Sequence, residues 1–130
     1  MLLLSTSYDI ICLHEIWLLN TELSLLNNIV PGFHGFGVSP TDSSAGFVRG
    51  RPFGGVAILC RDSVFCKSHI IYTDNTWSVA LQCFNNRNDK FTIVNVYMPC
   101  DSYENVDNYS EFLGYLSALM SDIEGKYVIV

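Results

Sequence analysis

An apolar segment of strand length opens the sequence and stops abruptly at an imidazole and a carboxylate. Residues 8–13 are mostly apolar, and His14 and Glu15 follow them directly. Apolar runs of roughly four to eight residues are typical of strands that are buried on both faces. A charged group at the carboxyl end of such a strand can reach solvent or a ligand without desolvating the strand. Glu15 is therefore either an ordinary surface acid or the first candidate for a functional residue.

The rest of the sequence alternates strand-like segments with turns and two helical segments. Further strands are predicted over residues 33–38, 54–60, 68–73, 77–84, 91–98 and 127–130. Helices are predicted over residues 20–27 and 106–122. The spacing of apolar residues along the second helix predicts one buried stripe, formed by Tyr109, Phe112, Leu113, Leu116, Leu119 and Met120. Residues 39–53 form a long loop, and loops of that length are usually functional or mobile.

Composition and charge limit the class of protein. At 130 residues, with 49% hydrophobic and 15% charged residues, the chain is long and apolar enough for one globular domain. The formal net charge of −6 weighs against nucleic-acid binding, which draws on positive charge. Yet four of the seven basic residues lie close together in sequence, namely Arg49, Arg51, Arg61 and Lys67. This basic segment is either ordinary solvated surface or a contact for an anionic partner.

The sequence gives no support for a membrane protein or a zinc protein. No apolar stretch approaches the roughly 20 residues that span a bilayer, and the start of the chain lacks a signal peptide. We therefore expect an intracellular protein, with the nucleus as one compartment, and no obligate protein partner. The five cysteines include no C-x-x-C pair, which argues against a zinc site or a disulfide framework. Cys12, Cys60 and Cys83 are expected to be buried free thiols.

A second polar side chain lies near the end of a strand-like run. Tyr97 closes residues 91–98 shortly before Pro99, which cannot continue a strand ladder. Carboxylate oxygens such as those of Glu15 are natural ligands for Mg²⁺, which also takes water and substrate phosphate oxygens. A phenol nearby can donate a hydrogen bond to a phosphate oxygen where negative charge is stabilised. Tyr97 is either such a group or a packed strand tyrosine.

Four segments, in this order along the chain, resemble the first half of the endonuclease/exonuclease/phosphatase superfamily. They look most like the apurinic-type endonuclease domain of non-LTR (LINE-like) retrotransposons. Residues 9–18 are similar to that family's D-I-x-x-L-Q-E-T-W-L box, and residues 54–59 to its G-G-V-A-I-L strand. Residues 92–99 resemble its N-x-Y-x-P strand, and residues 126–130 the strand that precedes its Gly-Asp-Phe-Asn motif.

The resemblance implies a fold, an activity and site residues. The implied fold is a four-layered α/β sandwich, two mixed β-sheets flanked by helices, of which this chain holds part. The implied activity is hydrolysis of DNA phosphodiesters assisted by Mg²⁺ or Mn²⁺. Glu15 would be the metal ligand, Tyr97 the catalytic group that orients and stabilises the scissile phosphate, and Arg49 and Arg51 contacts for DNA.

The sequence also departs from the family pattern. The family's later motifs are missing, so residues 1–130 are expected to form a partial domain, truncated at both ends, and His14 replaces the usual Gln. One carboxylate and one phenol cannot hold a metal, activate water and protonate a leaving group together. We therefore expect the 130-residue chain alone to be catalytically inactive. Two alternatives stay open: a phosphoinositide or lipid phosphoesterase of the same superfamily, and a non-catalytic remnant or interaction module.

Overall fold

A computed structural model describes residues 7–41, 52–98 and 106–130. Seven strands in this part of the chain form two sheets: β1 (Ile10–His14), β2 (Phe33–Val38), β3 (Val56–Arg61), β4 (Ser68–Ile71), β5 (Ser78–Phe84), β6 (Lys90–Val96) and β7 (Lys126–Ile129). The helices are a 3₁₀ helix (Asn20–Asn28), the one-turn helix α1 (Asp62–Phe65) and the long helix α2 (Val106–Asp122). The predicted strands and helices all lie within a few residues of these bounds.

The first sheet has the order β1-β3-β2, and both strand pairs are antiparallel. Within the described residues this sheet is thus antiparallel, and the parallel strand pair lies in the second sheet. The central strand β3 is buried from Val56 to Cys60 because it has a neighbour on each side. The first strand is less buried than its sequence predicts, and Ile11 is its one buried residue. The reason is that β1 lies at the edge of the sheet.

The second sheet has the order β4-β5-β6-β7 and is mixed. β5 pairs antiparallel with both β4 and β6, whereas β7 returns through α2 to lie parallel to β6. All four residues of β7 are exposed, although an apolar run of this kind is typical of a buried strand. The strand pairs with β6 on one side only, and its faces are not covered by the described residues.

Three apolar clusters show that these elements form four layers. One lies between the 3₁₀ helix and the first sheet and includes Leu26 and Leu59. The second lies between the two sheets, where Ile58 faces Leu81. The third packs Phe112 of α2 against the outer face of the second sheet. The predicted four-layered α/β sandwich is thereby confirmed.

The helix α2 uses a narrower apolar stripe than its sequence predicts. Phe112 is buried, and Leu116, Leu119 and Ile123 pack beside it against the sheet. Leu113 is 43% exposed, because it lies about 100° round the helix from Phe112 and points away from the sheet. No helix in the described ranges is long and apolar enough to cross a membrane.

The register of the strands brings several strand ends to one edge of the sandwich. His14 at the end of β1 lies opposite Val56 at the start of β3. In the second sheet, Ser78 at the start of β5 lies opposite Val96 at the end of β6. Contacts between the sheets, described below, place the carboxyl ends of β1 and β6 side by side. Glu15 and Tyr97, which directly follow these two strand ends, are located at this edge.

Candidate functional site

The carboxylate of Glu15 and the phenol of Tyr97 are in direct contact. The Tyr97 hydroxyl donates a hydrogen bond to Glu15 Oε1, although the two residues are 82 positions apart. Each side chain follows the last residue of its strand, and the backbone N–H of Tyr97 donates to Trp77 O at 2.8 Å. The contact joins the two sheets at the edge where β1 and β6 end. The structure thus brings together the two residues that the sequence analysis chose.

The backbone after β1 turns sharply to present the acid. Glu15 and Trp17 have φ angles of 53° and 56°, in the left-handed region that non-glycine residues seldom adopt. Hydrogen bonds to the start of β3 hold this segment, since Trp17 N donates to Gly54 O at 3.1 Å. Gly55 makes the close approach possible: a Cβ added there would lie 2.8 Å from Ile16 Cγ1.

Two donors hold Glu15 in its ionised form. The hydrogen bond from the Tyr97 phenol is the main cause that lowers the pKa of the Glu15 carboxyl below its ordinary value. A second cause is the Trp17 indole, whose Nε1–H donates to Glu15 Oε2 at 2.6 Å. The carboxylate is exposed at the protein surface, so its charge is also accessible to a ligand.

The sequence analysis did not identify Asn95, whose buried side chain hydrogen-bonds the strands next to Glu15 and Tyr97. This residue of β6 is fully buried between the sheets. Its amide Nδ2 donates to Leu13 O at 3.1 Å and to Ala57 O at 2.8 Å. Its Oδ1 lies 2.6 Å from His14 Nε2. A polar residue within an apolar strand, two positions before Tyr97 and hence on the same face, is the signal that would have found it.

The carboxylate of Glu15 fits one kind of metal site. An ionised, exposed carboxylate suits Mg²⁺ or Mn²⁺ held by one or two protein ligands, with water and phosphate oxygens filling the other positions. Among the described residues, no group of three or more His, Cys, Asp or Glu side chains could hold an ion. Glu15 therefore fits an ion shared with solvent and substrate, and the described side chains do not fit a structural metal centre.

The structure describes only some of the basic residues chosen from the sequence. Arg49 and Arg51 lie outside the described residues, and their predicted role stays a prediction. Arg61 ends β3 at the opposite edge of the sandwich, where its Nε donates to Asp9 Oδ1 at 2.7 Å. Of the described basic residues, Arg61 is therefore separated from Glu15 and has an acidic partner of its own.

The chain shares its fold with solved structures, although its sequence is distant from theirs. A humanized D. rerio TDP2 carrying 14 mutations matches with a TM-score of 0.54 at 16% identity, over 98% of this chain and 49% of that one. The human Nocturnin catalytic domain with bound sulfate matches with a TM-score of 0.53 at 15% identity, over 98% and 51%. D. rerio TDP2 in complex with a single-strand DNA product matches with a TM-score of 0.53 at 17% identity, over 98% and 48%.

TDP2 and Nocturnin are members of the endonuclease/exonuclease/phosphatase superfamily, and this chain shares their fold. The chain spans about half the length of these structures. No family model matches the sequence, and no curated protein matches it.

Proposed function

We propose that Glu15 and Tyr97 belong to the active site of a divalent-metal-dependent phosphodiesterase that acts on DNA. The observation that carries the proposal is the hydrogen bond between these two side chains where β1 and β6 end. It pairs an oxyanion that can bind a hard cation with a phenol that can donate to a phosphate oxygen. The sequence resemblance to the endonucleases of non-LTR retrotransposons supports the same assignment.

Each residue has a distinct role in this proposal. Glu15 holds Mg²⁺ or Mn²⁺, and its lowered pKa keeps the carboxylate ionised and able to bind. The ion, when bound, supplies positive charge that polarises a phosphoryl oxygen. When the phosphate binds, the Tyr97 hydroxyl turns from Glu15 to donate its hydrogen bond to a non-bridging phosphate oxygen and so fixes its orientation, while the Trp17 indole still donates to Glu15. Asn95 keeps the strands that carry both residues in register with each other.

DNA as the substrate is supported by one of the structural neighbours, the D. rerio TDP2 that is complexed with a single-strand DNA product. Arg49 and Arg51 follow Glu15 in sequence within the loop before β3, and we propose them as contacts for the DNA backbone. The net charge of −6 opposes DNA binding, so the metal ion and these arginines must offset it. A nuclear location accords with such a substrate.

The 130-residue chain by itself is proposed to bind the metal without cleaving DNA. Among the described residues, no group of three or more His, Cys, Asp or Glu side chains could hold an ion, at this edge or elsewhere. Supercoiled plasmid incubated with the chain and Mg²⁺ should stay intact. Nicking that is lost in Glu15→Gln would show that the chain is active and would overturn this part of the proposal.

Metal binding at Glu15 is the direct test. In ¹⁵N-edited NMR spectra, Mn²⁺ should broaden the signals of residues 15–17 and of Tyr97. Glu15→Gln should abolish the broadening, whereas Glu111→Gln, which removes an exposed acid on α2, should not. Competition between a DNA oligonucleotide and inositol phosphates for the Mn²⁺-loaded chain separates the nuclease from the phosphoinositide alternative. Broadening that survives Glu15→Gln, or none in the wild type, would refute the proposed site and favour a non-catalytic module.

A further inference from the structure

We propose that Trp17 is a stacking platform for an unpaired nucleobase next to the phosphate that Glu15 and Tyr97 receive. This inference rests on the proposed function and deepens it, because it names single-stranded or locally unpaired nucleic acid as the substrate class. The observation behind it is the unusual environment of the Trp17 ring, which is anchored to the site acid and is nevertheless 55% exposed.

The Trp17 ring is anchored but takes no part in the core. Its neighbours Ile16 and Leu18 pack against the cluster between the first sheet and the 3₁₀ helix, whereas Trp17 belongs to none of the three clusters. Its indole N–H bonds Glu15 Oε2 at 2.6 Å, and its backbone N–H bonds Gly54 O at 3.1 Å. Two anchors thus fix an aromatic ring in solvent beside the acid.

The backbone of Trp17 shows that this placement has an energetic cost. A left-handed conformation, such as the φ of 56° at Trp17, is disfavoured for a residue with a Cβ. The exposed part of the ring also contributes no hydrophobic stabilisation to the fold. A residue that is both strained and exposed is explained by a ligand better than by stability.

A second exposed aromatic ring lies near the first along the backbone. Phe53 directly precedes Gly54, the residue that pairs with Trp17, and is 62% exposed. Hydrogen bonds between Thr41 Oγ1 and both backbone polar groups of Phe53 hold it in place. The edge that carries Glu15 therefore presents two anchored aromatic residues to solvent.

An indole face suits unpaired bases because every base has a π face, while the bases of a duplex already stack on each other. Stacking also does not depend on positive charge, which this chain of net charge −6 lacks. We therefore expect the chain to prefer single-stranded over duplex oligonucleotides, and to owe that preference to Trp17.

The test compares variants by the dissociation constant of a short thymidine oligonucleotide at low salt with Mg²⁺. Trp17→Ala should weaken binding roughly 5- to 100-fold, the range expected for loss of one stacked base. Trp17→Phe keeps an aromatic ring that can stack, although the ring is smaller and lacks the N–H donor, so it should retain more of the affinity than Trp17→Ala. Tyr8→Ala removes an exposed aromatic ring at the opposite edge and should leave the affinity unchanged.

A measurement on the wild-type chain tests the inference even if a variant does not fold. The indole N–H signal of Trp17, assigned by its absence in Trp17→Phe, should shift on addition of the single strand and not of a blunt duplex. An unshifted signal, no oligonucleotide binding at all, or wild-type affinity in Trp17→Ala would each overturn the inference. The proposed function is judged separately, by whether Glu15→Gln abolishes the effect of Mn²⁺. Either result can therefore fail while the other stands.

Discussion

The side-chain amide of Asn95 in β6 donates a hydrogen bond to the carbonyl oxygen of Ala57 in β3 at 2.8 Å, so that one buried residue links the two sheets. The same amide bonds Leu13 O in β1, one residue before His14 and two before Glu15. The packing of the sheets and the position of the site acid are therefore coupled through one side chain.

Replacement of Asn95 by leucine should destabilise the protein. The change keeps the branching of the side chain at Cγ but removes hydrogen bonds to Leu13, Ala57 and His14. Because the partners are left without this buried amide, we expect a loss of about 2–3 kcal/mol in the free energy of unfolding. Chemical denaturation followed by circular dichroism measures the loss.

Thr92 on the same strand provides the matched control. Its Oγ1 is buried and has no hydrogen-bond partner among the described residues. Thr92→Val keeps the shape and removes an unpaired hydroxyl, so the free energy of unfolding should stay equal or rise by about 1 kcal/mol. If Asn95→Leu proved as harmless as Thr92→Val, the amide would not link the sheets as described.

Tyr97→Phe should raise the pKa of Glu15 toward its ordinary value, because the phenol is the main cause of the lowered pKa. Since the pKa is lower in the folded than in the unfolded state, the associated stability is present above the unfolded pKa. It is lost as the pH falls through the folded pKa. The difference in stability between wild type and Tyr97→Phe should therefore shrink in acid. NMR titration of the Glu15 carboxyl carbon checks the shift, and identical midpoints in the two proteins would contradict it.

Gly55→Ala should displace the segment that carries Glu15. The new Cβ would lie 2.8 Å from Ile16 Cγ1, at a φ of 87° that alanine seldom adopts. We expect a loss of about 1–3 kcal/mol in the free energy of unfolding and altered NMR shifts at residues 15–17. Gly114→Ala is the control: its Cβ would meet nothing within 4 Å, so the gain in helix propensity should stabilise α2 by about 0.5–1 kcal/mol. Similar losses for both variants would contradict the tight approach at Gly55.

The cysteines of the described residues should differ sharply in reactivity. Burial raises the pKa of the Cys60 thiol to about 12 and that of Cys83 to about 11. Cys66 is exposed at the end of α1. Iodoacetamide at mildly alkaline pH should therefore alkylate Cys66 well before Cys60 or Cys83, as read by peptide mass spectrometry. In denaturant the three rates should converge, and rapid labelling of Cys60 in the native protein would contradict its burial.

Much of the fold was predictable because it depends on local patterns. Strand β3 reads as a continuous apolar run since both of its faces are covered, and the turn residues between β5 and β6 mark the hairpin. The pattern could not show that β1 and β7 lie at sheet edges, because apolar character does not record how many neighbours a strand has. The exposure of Leu113 could not be predicted for a similar reason. The sequence does not show how much of the surface of α2 the second sheet covers.

For the site, the sequence indicated Glu15 and Tyr97 but not what holds them. The hydrogen bonds of Asn95 and Trp17 join residues through the turn after β1 and the packing of two sheets, which only the assembled fold defines. The positive φ angles of Glu15 and Trp17 were equally beyond prediction, since neither residue type favours that conformation.

Those two strained residues bear on how the chain can evolve. Glycine or asparagine would relieve the backbone strain at either position, so a substitution that removes the acid or the indole can lower the conformational energy of the backbone. The backbone strain at these two positions is therefore the energetic cost of holding a carboxylate and an indole side by side at this edge.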